Sequence, residues 1–412
     1  LLEARNIDGA EQYFTRAIDF GYSKTPEETF NFWDREKILS DMVWVIRNYR
    51  PDIMITRFPP GQSGGHGHHT ASTALALDAF RAAADPNQFP EQLTLVKTWK
   101  TKRFFANSFR SGQQGDVIRV NVGEYSTLLG KSYTEISALS RSMHKTQGFG
   151  SAGRRGVQYD NFELVKGEPA RGGLFEGIDA TWNRMPGGGR IGEMLQAIQN
   201  TFDPRDPSKS IPRLLAVYKE MNTLPEDGWG AVKRRELREV IQSCAGLWIE
   251  ASADGFSAAP GDSIPFRITV VNRSAQPFIL EKAACPECGY VWEGNRALED
   301  NAPSAISGTL RIPATKAISQ PYWLEAPFSE GMFTVSDQRM IGAAENAPAV
   351  CFLISLNCGG MSLEYPAPLT FRWTDRAEGE LTRPFEIRPP ATVNFEENVC
   401  VFGNRGPKTI AV

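Results

Sequence analysis

The spacing of the hydrophobic residues changes near residue 248, and this change constrains the fold more than any other feature of the chain. Upstream, residues 36–49 place apolar side chains at helical spacing, and residues 52–58 form a short apolar run typical of a buried strand. Strands that alternate with helices predict a Rossmann-like α/β fold with a wound parallel sheet. Downstream, apolar and polar residues alternate from 264 to 271. This period of two predicts antiparallel strands, and the spacing of the turns favours a β-sandwich.

These patterns predict four segments. They are an α/β domain (1–175), a connector of loops and helices (176–247), a β-sandwich (248–390) and a further strand region or truncated second sandwich (391–412). Within the first half, the sequence predicts a strand over 93–99, a helix over 126–143 and mostly long loops over 148–210, with one helix near 191–201. Two helices are predicted next, over about 211–223 and 229–245, and Gly246 is the predicted end of the second. In the sandwich we expect Phe266 and Ile268 to face the core, because they alternate with polar neighbours.

Composition argues against two classes of partner. The chain carries 45 Lys and Arg against 48 Asp and Glu, and a net charge of −3 gives no electrostatic footprint for nucleic acid. No run approaches the roughly 18 apolar residues of a membrane-spanning helix, so we expect no transmembrane segment. The 6 Cys are too few for a disulfide scaffold in a chain of this size. The 24 Phe and 9 Trp favour aromatic-rich sheets and a sugar-handling surface.

Three of the 4 His residues lie together, at positions 66, 68 and 69. They lie in or directly after a Gly-rich turn, Pro59 to Gly67, between a predicted strand and a predicted helix. Wound α/β folds form sites at the carboxyl ends of strands, so we expect Ser63 to Thr70 to lie at such an end and to face a cleft. Neutral imidazole is a good zinc ligand, so the cluster is a candidate metal site. One helical turn aims His66 and His69 the same way, whereas His68 and His69 point apart in most backbones. A polar surface loop and a triple-His zinc site are the alternatives.

Five short motifs resemble those of one enzyme family. The sequence at 66–71 is His-Gly-His-His-Thr-Ala, similar to a family motif His-Pro-Asp-His. The other matches are Arg-Asn-Ile-Asp at 5–8, Trp-Asp at 33–34, Arg-Pro-Asp at 50–52 and His-Lys-Thr-Gln at 144–147. In this order and spacing, the motifs resemble the PIG-L/LmbE-like N-acetylglucosaminyl deacetylases over about residues 1–150. Gly67 and His68 replace the family's Pro-Asp.

A second departure is larger, because the family's first motif, Ala-His-Pro-Asp-Asp-Glu, does not occur in these residues. In the family this motif supplies a His and an Asp zinc ligand and the Asp that acts as general base. We therefore expect a piece of a longer bacterial polypeptide, with an incomplete α/β sheet. The appended β domain slightly favours a periplasmic or secreted protein.

The resemblance implies zinc-dependent removal of an acetyl group from an N-acetylated sugar or glycoconjugate, with another divalent metal as an option. By position, His69 is the metal ligand and His66 is the catalytic acid or oxyanion partner. The implied substrate-binding residues are Arg5, Asp34 and His144. Asp34 as a helix N-cap and His144 as a cap on a helix C-terminus are the alternatives. His68 has no counterpart as a histidine, and we expect it to orient its neighbours.

A non-catalytic carbohydrate-binding or surface-interaction protein on a degenerate deacetylase domain is the alternative function. The missing first motif favours it if the chain is complete. A serine hydrolase is disfavoured, because the chain has no Gly-x-Ser-x-Gly elbow. The pair Cys285 and Cys288 is a single CxxC motif, which predicts an inert hairpin or one local disulfide, since zinc ribbons need a second pair.

Overall fold

The structure is a computed structural model that describes residues 1–61, 66–108, 117–225 and 228–394, together with residues 399, 407 and 409. The described residues form two compact units. The first contains Leu1–Ile178 and Gln320–Asn346, and the second contains Asp179–Ser319 and the described residues from Ala347 onward. Among the described helices, none combines the length with the hydrophobicity that crossing a bilayer requires.

The first unit combines helices with a small mixed sheet. Its helices are α1 (Leu2–Asp8), α2 (Pro26–Phe30), α3 (Arg35–Tyr49), α4 (Gly67–Ala82) and α5 (Tyr133–Arg141). Its strands are β1 (Ile53–Thr56), β2 (Arg103–Ser108), β3 (Val117–Asn121), β4 (Tyr125–Ser126), β5 (Lys131–Ser132) and β6 (Tyr159–Gly167). The sheet order is β1-β2-β6-β3, with β4 and β5 as a separate pair. Strands β1 and β2 run parallel, whereas β6 is antiparallel to both neighbours. The α/β class is confirmed, but the described sheet is mixed instead of wholly parallel.

Helices α3 and α4 form the core of this unit. Ala71, Leu75 and Ala79 recur every four residues along α4 and are fully buried, together with Val43 of α3. Arg50 ends α3 in the left-handed region at φ 59°, directly before Pro51, as the proline predicts. Because α4 lies between the parallel strands β1 and β2 along the chain, its first turn follows the carboxyl end of β1.

The strand predicted over 93–99 is wrong. A 3-10 helix, Pro90–Thr94, occupies the start of this segment, and the indole of Trp99 donates a hydrogen bond to the carbonyl of Pro51 at 2.7 Å. The strand that pairs with β1 lies later, where Phe104 and Phe105 are fully buried. Only three consecutive residues of that strand are apolar, too few for a pattern to reveal it.

Two further predictions in this unit need correction. The helix predicted over 126–143 begins only at Tyr133, because Ser132 and Glu135 form a capping box there. The predicted loop region 148–210 contains strand β6, whose half-buried apolar side chains are separated by Asp, Asn, Glu and Lys. Polar residues inside a strand remove the alternation that a sequence pattern detects.

The segment Gln320–Asn346 returns the chain to the first unit, which the sequence did not predict. The backbone N–H of Phe333 donates to the carbonyl of Arg16 at 2.8 Å, and that of Ile18 donates to Gly331 at 2.9 Å. Pairing between such distant parts of the chain leaves no local pattern in the sequence.

The second unit contains three helices and ten strands within its described residues. Its helices are α6 (Gly188–Asn200), α7 (Ile211–Met221) and α8 (Trp229–Ala245). Its strands are β7 (Trp248–Ala253), β8 (Ser257–Ala258), β9 (Ser263–Val271), β10 (Ile279–Cys285), β11 (Tyr290–Ala297), β12 (Pro303–Arg311), β13 (Cys351–Cys358), β14 (Met361–Asp375), β15 (Gly379–Pro384) and β16 (Glu386–Ile387). Seven strands follow the order β11-β10-β13-β14-β7-β9-β12, and β15 pairs with β14. The pairing is mostly antiparallel, with β14 and β7 as a parallel exception.

The predicted register of β9 is confirmed. Phe266 and Ile268 are buried, whereas Arg267 is exposed and Thr269 is half-buried. The sandwich itself is not confirmed, because the long strand β14 joins all eight strands into one hydrogen-bonded sheet. The ring of Phe266 still lies 4.9 Å, centroid to centroid, from Phe352 of β13, a strand that does not pair with β9.

Candidate functional site

The histidine cluster lies at the start of α4. His66 is the N-cap residue, with extended backbone at φ −147°, and its Nδ1 accepts a hydrogen bond from the backbone N–H of His68 at 3.3 Å. The predicted position after the carboxyl end of a parallel strand is therefore confirmed for residues 66–70. Ser63 to Gly65 lie outside the described residues. That the cluster faces a cleft stays a prediction.

Gly67 fixes how closely α4 approaches the segment before α2. Its backbone N–H donates to the carbonyl of Ser23 at 2.7 Å, and the residue is buried. A Cβ atom built on Gly67 would lie 2.3 Å from the carbonyl oxygen of Thr25 and 2.7 Å from Oγ1 of Thr29. No side chain fits in this space, so glycine is required here for a close approach of two backbones.

The imidazole of His68 points into the unit. Its ring packs against Phe20 and Trp33, with centroids 4.5 and 4.7 Å away, and its side chain is only 13% exposed. Its Nδ1 lies 3.0 Å from Oγ of Ser23 and 2.9 Å from Nδ1 of His66. Burial lowers the pKa of His68, and the neighbouring His66 lowers it further, which favours the neutral ring. The contact between the two Nδ1 atoms allows His68 to orient the ring of His66.

His69 points away from His68, as expected for adjacent helical residues. It is exposed, and one face of its ring stacks on Phe58 with centroids 4.3 Å apart. Burial of that face lowers the pKa of His69, and His66 adds a smaller lowering. The rings of His66 and His69 lie 5.4 Å apart, so the predicted pair does share one end of the helix.

Arg5 and His144 line one groove of about 900 Å³ between α1 and the region of α5. The guanidinium of Arg5 donates to the carboxylate of Asp8, with Nε 2.9 Å from Oδ1, and Ser140 of α5 donates to the same carboxylate at 2.8 Å. The hydrogen bond with Arg5 lowers the pKa of Asp8 well below its usual range. Lys131 also lines the groove, so its cationic side chains outnumber its carboxylates. His66 and His69 are not among its described lining residues.

Asp34 is the N-cap of α3. Its Oδ1 accepts a hydrogen bond from the backbone N–H of Lys37 at 3.1 Å, and its Oδ2 lies 3.2 Å from the ammonium of Lys37. Burial raises the pKa of Asp34, but the contacts with Lys37 outweigh it and leave the pKa below its usual value. Asp34 therefore has the geometry of a helix N-cap, the alternative role given above. That Asp34 contacts the substrate stays a prediction.

Replacing Asp34 separates these two roles. We expect Asp34→Ala to lower the free energy of unfolding by about 1 kcal/mol, whereas Asp34→Asn keeps most of the stability because Asn caps equally well. Urea denaturation of both variants measures this difference. Equal losses in the two variants would contradict the capping role.

The zinc that the resemblance implies needs about three protein ligands. Within the described residues, no group of three potential donor atoms from His, Cys, Asp or Glu converges at the histidine cluster. The two Nδ1 atoms of His66 and His68 face each other instead. The described residues therefore do not form a complete zinc site around His69.

The sequence does not reveal which residues contact His68. Ser23 and Phe20 lie more than forty residues upstream and belong to no recognisable motif. The one sequence signal near them is Thr25-Pro26, which begins α2 with a side-chain cap and a proline at its first position. That signal locates a helix and says nothing of a histidine pocket.

Comparison with known proteins gives limited similarity. No family model matches the chain. The mycothiol S-conjugate amidase of Streptomyces coelicolor (strain ATCC BAA-471 / A3(2) / M145) is 31% identical over 97 residues, which are 22% of this chain and 32% of the amidase. The chain thus spans about a third of the length of this relative. The similarity supports the LmbE/PIG-L superfamily and no narrower group.

A solved structure also shows a partial match. Pseudomonas fluorescens alkylpurine DNA glycosylase AlkC, bound to DNA containing an abasic site analog, is 11% identical, with a TM-score of 0.17. The match covers 38% of this chain and 47% of that chain. A TM-score this low carries no argument about fold or function.

Proposed function

We propose that the polypeptide containing these residues is an amidohydrolase that removes the acetyl group from an N-acetylated amino sugar or a related glycoconjugate. The observation that carries the proposal is the position of His66 and His69 at the start of α4, after the carboxyl end of β1. The partial similarity to an amidase supports the same class of reaction. We assign substrate binding to the groove that Arg5 and His144 share in the same unit.

Hydrolysis of an acetamide requires water to attack the carbonyl carbon and the leaving nitrogen to gain a proton. The C–N bond breaks, and acetate and a free amine form. We assign His66 the transfer of a proton to the amine or the stabilisation of the oxyanion. We assign His68 the orientation of the His66 ring, because their Nδ1 atoms lie 2.9 Å apart, within hydrogen-bond distance. Zinc stays a proposal, with His69 as its ligand, and no step is assigned to it.

The test measures acetate released from N-acetylglucosamine derivatives. It uses these 412 residues and any version of the polypeptide that carries further residues upstream. In the form that turns over, we expect His66→Ala to lower kcat by about 10²- to 10⁴-fold, the range for an acid–base group. His69→Ala is expected to abolish turnover, and Lys100→Ala, an exposed residue of the same unit, to leave it unchanged. Full turnover of His66→Ala and His69→Ala, or none in any form, contradicts the proposal.

A second candidate is carbohydrate binding without catalysis. The ring of Trp373 is exposed on β14 and stacks on Phe371 with centroids 5.7 Å apart, a surface of the kind that sugars bind. Calorimetric binding of N-acetylated sugars without acetate release, lost in Trp373→Ala, would favour this function over hydrolysis.

A further inference from the structure

The turn between β10 and β11 brings two cysteines together. Strand β10 ends at Cys285, a 3-10 helix covers Pro286–Cys288, and Gly289 adopts the left-handed region at φ 64° before β11 begins. Cys285 pairs with Tyr290 across the hairpin. Glycine permits this tight reversal, which holds the two cysteines at one end of the ladder.

Three potential metal ligands, two thiols and one carboxylate, converge at this turn. The Sγ atoms of Cys285 and Cys288 and a carboxylate oxygen of Glu287 all lie within 4.8 Å of one another. Cys285 is fully buried, Cys288 is half-buried and Glu287 is exposed. Both thiols are free of disulfide bonds. In the part of the chain that the structure describes, this is the one group of three such donors.

The spacing of these donors is close to that of a zinc site. Zinc binds sulfur at about 2.3 Å and carboxylate oxygen at about 2.0–2.2 Å, so donors around it lie roughly 3.3–3.8 Å apart. A contraction of about 1.5 Å or less, by rotation of the exposed Glu287 and the half-buried Cys288, brings the three donors to that spacing. Thiolates select zinc over magnesium and calcium, which prefer oxygen ligands.

The charge around the turn also suits a divalent cation. Two thiolates and one carboxylate carry three negative charges, and the ammonium of Lys316 pairs with the carboxylate of Glu287. A divalent cation together with Lys316 makes the cluster neutral, which reduces the cost of holding charge beside the buried Cys285.

We propose that Cys285, Glu287 and Cys288 form a zinc site that fastens the β10–β11 hairpin, with water at the fourth position. The site lies in the second unit and uses none of the residues assigned to hydrolysis. The zinc-site proposal can therefore be tested independently of the proposed function.

Cobalt(II) is the probe, because a cobalt–thiolate bond gives a charge-transfer absorption in the near ultraviolet that histidine and carboxylate ligands do not give. The reduced chain of 412 residues is titrated with cobalt(II) and then with zinc. We expect one equivalent of cobalt to produce the absorption and one equivalent of zinc to displace it. Cys288→Ser should abolish the absorption, and Glu287→Gln should weaken cobalt affinity by about tenfold or more.

Two controls make the result specific. Cys244→Ser removes a half-buried thiol of α8 outside the cluster and should leave the absorption intact. His69→Ala should also leave it intact, which separates this site from the histidine cluster. Circular dichroism checks that each variant is folded. Absence of the absorption from the reduced wild-type chain, its persistence in Cys288→Ser, or purification of a Cys285–Cys288 disulfide that binds no metal after reduction would overturn the proposal.

Discussion

Gly67→Ala is expected to destabilise the first unit by about 3 kcal/mol, the upper part of the usual range for overpacking. The new methyl group would meet the carbonyl of Thr25 at 2.3 Å and two hydroxyl oxygens, of Ser23 and Thr29, at less than 3 Å. Backbone atoms cannot move aside as a flexible side chain can, so α4 itself must shift. Urea denaturation followed by tryptophan fluorescence measures the loss.

Gly173→Ala is the matched control, because a Cβ atom on Gly173 meets nothing within 4 Å and its φ lies outside the left-handed region. We expect its free energy of unfolding to change by less than about 0.5 kcal/mol. A Gly67→Ala variant as stable as this control would show that the close approach of α4 to Thr25 is wrong.

The same geometry explains why the motif departs from the pattern that it resembles. A proline at position 67 would lack the N–H that binds the carbonyl of Ser23 at 2.7 Å. Its ring would also occupy the space where a Cβ atom already collides with Thr25. Glycine is therefore required at position 67 because the backbone of residues 23–29 lies so close to it in this chain.

Elements with a strong hydrophobic period could be predicted from the sequence. Helices α3 and α8 and the register of β9 match the expectation closely, because each repeats its buried positions over several turns or pleats. Gly246 ends α8 in the left-handed region, as its position predicts. In these cases local pattern and burial agree along the whole element.

The elements that the sequence did not predict depend on contacts between distant parts of the chain. Strand β6 has few apolar residues and is held between β2 and β3, and the segment Gln320–Asn346 pairs with residues near the N-terminus. In the candidate site, too, local features could be predicted and distant contacts could not. The clustering of His66, His68 and His69 was visible in the sequence, but the pocket that turns His68 inward was not, since it is formed by residues from another segment.

Arg47 shows most clearly how a sequence pattern can mislead. A basic residue in the last turn of α3 is expected to lie in solvent, yet Arg47 is only 1% exposed. Its guanidinium donates hydrogen bonds to one side-chain amide, that of Gln92, and to five backbone carbonyls. These carbonyls belong to Ala82, Ala83, Asp85, Gln88 and Phe89. The carbonyls of Ala82 and Ala83 lie at the C-terminus of α4, where the helix dipole favours a cation.

Arg47→Met is expected to lower the free energy of unfolding by about 3 kcal/mol, because a buried acceptor left without its donor costs about 1–3 kcal/mol and several acceptors lose theirs. Methionine can replace the aliphatic stem, but it leaves the carbonyls at the end of α4 and in the following loop without their donor. Because α4 carries His66 and His69 at its other end, we expect loss of order there as well. Arg81→Met, on the exposed face of α4, is the matched control and should change stability by less than about 0.5 kcal/mol. Equal urea midpoints for the two variants would mean that the carbonyls find other donors and that Arg47 does not hold α4 in place.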